Sequence, residues 1–149
     1  MMRIVLNTSV FISAVLCGDL GSIVDDWRRG HFGLLVSGEI VREYLDVLHR
    51  PKLGLSPDVV DDVLSYVFHR AEFVTPGEHL AVVEADPSES KFLEAAIAGS
   101  ATLIVSSDQH LLSLETYRDI PIVTPREFLQ RLRREQSTST EAGSPIAPR

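Results

Sequence analysis

Four short apolar runs, separated by segments of helical spacing, constrain this chain more than any other feature. Arg3–Leu6, Phe32–Val36, Thr102–Val105 and Ile120–Val123 are almost uninterrupted by polar side chains and too short to be helices. Successive side chains of a strand point to opposite faces, so a run that is apolar throughout needs cover on both. Between the runs, Ile23, Val24 and Trp27, then Ile40, Val41, Tyr44, Leu45 and Leu48, then Phe92, Leu93, Ala96 and Ile97 recur at the spacing of an amphipathic helix. Val10–Leu16 reads as a first short helix and Leu111–Leu114 as another, with Gly30 and Pro51 as stops. Ser56-Pro57-Asp58 supplies a capping serine, a first-position proline and an acid that suits the helix dipole, opening a helix to about Arg70. Helix starts also stand at Asp86-Pro87-Ser88-Glu89 and Thr124-Pro125-Arg126-Glu127. With a short strand at Glu72–Thr75, the alternation predicts an α/β/α sandwich around a parallel sheet covered on both faces.

The chain has 149 residues, enough for one domain, which we place at residues 1–134. Residues 135–149, a polar, proline-bearing tail without periodicity, are expected to be disordered. The lone cysteine, Cys17, excludes an internal disulfide, suits a reducing compartment and reads as a core residue. No apolar stretch approaches the roughly 20 residues of a membrane helix, and the N-terminus lacks a signal-peptide layout. A cytoplasmic location is expected. The net charge of −7 argues against nucleic-acid binding by bulk electrostatics. It leaves room for an enzyme that holds nucleic acid through a cation and a local basic patch, and for a basic partner.

In parallel sheets, ligands bind beyond the carboxyl ends of the strands. Two polar triplets stand there, Asn7-Thr8-Ser9 after the first run and Ser106-Ser107-Asp108 after the third. Three acids can converge on them: Asp108, Glu43 in the helix after the second strand, and Glu89 in the first turn of the helix from Asp86. Two unit charges about 4 Å apart repel by roughly 4 kcal/mol at an effective dielectric of about 20. A hard divalent cation relieves such repulsion, and magnesium or manganese favours oxygen ligands. Held by carboxylates, such an ion suits phosphodiester hydrolysis, because it activates water and neutralises phosphate charge. Each residue also has a structural reading. Glu89 completes a capping box with Asp86, Glu43 fits a solvated helix face, Asp108 can cap the next helix, and Thr8 and Ser9 can cap the first. His110 reads as a solvent-facing histidine. The reaction class does not follow from these patterns alone.

Taken together, RIVLNTSVFISAVL, SGEIVREYLDVLHRPK, DPSESKFLEAAIAGSATLIVSSDQHLLSL and IPIVTPREFL resemble the PIN-domain family from Arg3 to about Leu132. More narrowly, they resemble the PIN toxins of bacterial toxin–antitoxin pairs, akin to VapC. The resemblance implies a five-stranded parallel sheet and a metal-dependent endoribonuclease using Mg2+ or Mn2+, with an RNA substrate, a cognate antitoxin and a homodimeric state. It maps the catalytic and metal-holding set onto Asn7, Glu43, Glu89 and Asp108. Asp86 would assist from behind, Ser9 would orient the first acid, and Thr8 would support the turn. The family carries aspartate at the position of Asn7 and usually at that of Glu89. Glutamate keeps the charge, whereas the Asn7 amide removes one and cannot take a proton from water. Asn7 is then a deliberate inactivating change, a natural attenuation, or the mark of a degenerate member that kept its fold and partner.

The leading expectation is therefore a ribonuclease toxin attenuated by Asn7. RNA would approach across a rim drawn from Arg3, His49, Arg50, Lys52 and Arg126. The alternative is a catalytically degenerate module that binds an antitoxin or another protein. A nucleotide-binding or phosphoacceptor domain fits less well. The first strand lacks a glycine-rich phosphate loop, and no lysine follows Lys91.

Overall fold

A computed structural model describes residues 1–16, 21–77 and 89–143. The elements run β1 (Met2–Leu6), α1 (Thr8–Val15), α2 (Gly21–Arg28), β2 (Phe32–Val36), α3 (Gly38–Leu48), a 3-10 turn at Pro51–Leu53, α4 (Pro57–Arg70) and β3 (Glu72–Phe73). They continue with α5 (Ser90–Ala98), β4 (Leu103–Val105), α6 (Gln109–Leu112), β5 (Thr116–Tyr117), β6 (Ile120–Val123) and α7 (Pro125–Gly143).

The sheet order is β3-β2-β1-β4-β6-β5. The five strands β3, β2, β1, β4 and β6 are parallel, as the apolar runs require, and β1 lies at their centre. Adjacent residues Ile4 and Val5, and likewise Leu34 and Leu35, are fully buried, so helices cover both faces. The sixth strand, β5, lies outside the five expected. It pairs antiparallel with β6 through a hairpin whose two central residues, Arg118 and Asp119, both take positive φ. Such a turn is ordinarily signalled by Asn-Gly or Asp-Gly, and Arg-Asp carries no such signal.

Two further expectations differ. The first helix begins at Thr8, with Asn7 rather than Thr8 or Ser9 as its cap. Helix α5 is described from Ser90, with Glu89 at its N-cap position in a helical backbone conformation and making no capping hydrogen bond. Asp86 and Cys17 lie outside the described residues. The boundary expected after residue 134 falls inside α7, which continues to Gly143. Among the described residues, no helix is long and apolar enough to cross a membrane.

Candidate active site

Asn7 stands where β1 ends and α1 begins. Its backbone N–H extends the β1–β4 ladder to the Val105 carbonyl at 2.9 Å. The side chain is buried and uses both ends of its amide. Oδ1 accepts from the Val10 N–H at 3.2 Å and caps α1. Nδ2 donates to Ser106 Oγ at 3.0 Å and makes a longer contact with Glu89 Oε1 at 3.5 Å. Ser106, fully buried just past β4, also accepts the Asp108 N–H at 2.9 Å. Asp108 in turn caps α6, its Oδ1 accepting from the N–H groups of His110 and Leu111. His110 is exposed, with its Nδ1 3.7 Å from Asp108 Oδ1.

The next residue, Thr8, serves a second group. It is buried and donates its hydroxyl to Glu43 Oε2 at 2.5 Å. Lys91 Nζ donates to the other oxygen of Glu43 at 2.5 Å. Helix α3, capped by Ser37, presents Glu43, and the neighbouring Tyr44 fixes where that helix sits. Tyr44 is buried, donates its hydroxyl to the Leu6 carbonyl at 2.6 Å and stacks on Phe11 with ring centroids 4.0 Å apart. Burial, and then the nearby Glu43 charge, push the Tyr44 phenol far above its usual range and keep it a proton donor. The start of α5 therefore grips the β1 tip twice, through Glu89 to Asn7 and through Lys91 to a carboxylate that Thr8 also holds.

The candidate residues thus fall into two groups, Asn7 with Glu89, Ser106 and Asp108, and Thr8 with Glu43 and Lys91. Ser9 is exposed on α1, and it is Thr8 that reaches an acid. Arg3 does not belong to a rim around this site. It lies at the opposite, amino end of β1, with its guanidinium held by both oxygens of Glu72 and by the Gly99 carbonyl. The hydrogen bond to Glu72 raises its pKa further. His49, Arg50, Lys52 and Arg126 are exposed. Three contributors are missed by sequence reasoning: Ser106 enters it only within a polar triplet, Tyr44 only as one of the regularly spaced residues of a helix, and Lys91 only as the last lysine of the chain. A cleft of about 310 Å³ beside α3, lined by Glu39, Arg42, Glu43, Asp46 and Lys91, opens onto the second group.

As arranged, these groups do not fit a divalent ion. Among the described residues, no three acidic, histidine or cysteine side chains come together as a ligand set. Asn7 turns its N–H2 rather than its oxygen toward Glu89, and both oxygens of Glu43 already accept hydrogen bonds, one from an ammonium.

A family model described as "PIN domain" matches residues 3–110. Among solved structures, the chain is similar to PAE2754 from Pyrobaculum aerophilum, at 13% identity and a TM-score of 0.59 over 88% of this chain and 89% of that one. It is also similar to VapBC2 from Rickettsia felis, bound to a DNA fragment from their promoter. There the identity is 14% and the TM-score 0.53, over 83% of this chain and 98% of that one. At such identities the likeness is one of fold. A comparison with curated protein sequences returns no match.

Proposed function

Because the chain belongs to the PIN-domain family, whose members are generally nucleases that use divalent metal ions, we propose that it is a ribonuclease-type toxin attenuated by Asn7. One observation carries this reading: Asn7, Glu89 and Asp108 are linked around the buried Ser106 at the carboxyl ends of the central strands. An active site of this fold class is expected there. The catalytic set is then Glu43, Glu89 and Asp108, with Asn7 where a fourth acid would sit and Asp86 supporting from outside the described residues. The substrate is RNA, the ion Mg2+ or Mn2+, the partner a cognate antitoxin and the compartment the cytoplasm. The working unit is a homodimer. The likeness to a VapBC complex supports a toxin–antitoxin pairing, and the net charge of −7 suits a basic partner segment.

In this chain the Asn7 amide is neutral and cannot accept a proton from water, and Lys91 holds Glu43. Attenuation follows from both. The test is Asn7→Asp with RNA, Mg2+ or Mn2+, and EDTA as control. Cleavage that depends on the metal should rise by at least about tenfold over the parent chain. A variant that neither cleaves RNA nor binds metal overturns the reading.

The same pairings favour a second reading, a degenerate module that acts by holding a protein partner. Under it, Asn7→Asp changes neither RNA cleavage nor partner affinity.

A further inference from the structure

We infer that Lys91 is a resident cation that competes with a divalent ion for the Glu43 carboxylate and so sets the ion affinity of the site. The inference rests on the nuclease reading above and deepens it. Lys91 Nζ lies 2.5 Å from Glu43 Oε1, and the two side chains are only 13% and 28% exposed. A contact that close, mostly shielded from water, is screened far less than a surface pair. The remaining Glu43 oxygen accepts from Thr8, so no oxygen of this acid is left without a donor. A divalent ion needs those same lone pairs and must displace the ammonium to gain them.

The surroundings provide somewhere for the displaced group to go. The cleft that contains Lys91 is also lined by Glu39 and Asp46, two further carboxylates on the same helix as Glu43. Lysine is a compact point charge on a flexible stem, which suits movement between such acceptors better than a planar guanidinium. Lys91 and Asn7 also act in the same sense. Asn7 removes one negative charge from the strand tip, and Lys91 supplies one positive charge beside it. Restoring the acid at position 7 therefore reverses only half of the compensation.

The test measures Mn2+ binding by titration calorimetry on the full chain carrying Asn7→Asp, alone and combined with Lys91→Gln, Lys91→Met or Lys91→Arg. Removing the charge by Lys91→Gln should tighten Mn2+ binding by about tenfold, and Lys91→Met should do the same with no polar head to place. Lys91→Arg, which keeps the charge on a planar head that is displaced no more easily, should not tighten Mn2+ binding. The rise in melting temperature on adding Mn2+ should follow the same order. Equal affinity with lysine and glutamine, or equal tightening by glutamine and arginine, overturns the inference. Tightened Mn2+ binding without RNA cleavage supports the role of Lys91 while overturning the nuclease reading. Restored cleavage with unchanged Mn2+ affinity does the reverse.

Discussion

Asn7 and Ser106 illustrate how much one buried polar contact can organise. The Ser106 oxygen accepts from the Asn7 amide and from the Asp108 backbone. Ser106→Ala leaves both donors buried without that acceptor and should lower stability by about 1–3 kcal/mol, read as a lower urea midpoint with an unchanged slope. Tyr44 gives a pH dependence. Its pKa is raised in the folded protein by burial, whereas in the unfolded chain it ionises near about 10. Above that pH the unfolded state gives up a proton that the folded state retains, so the stability present below about pH 10 falls as pH rises. Tyr44→Phe should remove this part of the alkaline loss in denaturation curves taken from about pH 8 to 11. It should also cost about 1 kcal/mol at neutral pH through the lost bond to Leu6. In the sequence, the positions of Asn7, Glu43 and Asp108 relative to strand ends were legible because strand ends are. The pairing of Glu43 with Lys91 was not, since helical spacing says which face a side chain occupies but not which neighbour on another element it meets.

At the level of elements, the parallel strands were readable from their uninterrupted apolar character, and α4 from its Ser-Pro-Asp start. The β5–β6 hairpin was not, because Arg118 and Asp119 adopt positive φ without a glycine or asparagine to announce it. Substituting Arg118→Asn with Asp119→Gly should relieve that strain and raise the melting temperature, by about 0.5–1 kcal/mol of stability if the hairpin geometry is kept. The end of α5 shows the opposite economy of space. A Cβ on Gly99 would stand 2.8 Å from a Leu35 methyl and 3.0 Å from one of Val74, and Leu35 is fully buried. Gly99→Ala should therefore destabilise by about 1–3 kcal/mol, measured by thermal or urea unfolding, even though alanine favours helices.

Across the whole molecule, α2 and α7 are tied by a buried carboxylate. Asp26 on α2 accepts from His31 at 2.7 Å and from Arg133 on α7 at 3.1 Å. Asp26→Ala should loosen α7 and lower stability by about 1–2 kcal/mol, and faster amide exchange in α7 than in α3 would show where the loss falls. The order of the sheet has a consequence for how the protein comes into being. Its central strand precedes the other strands along the chain, yet Asn7 finds Ser106 only 99 residues later. The strand tip thus has no second wall until β4 has followed it out of the ribosome. During synthesis the site is absent rather than inhibited, and it arises together with the closing of the fold.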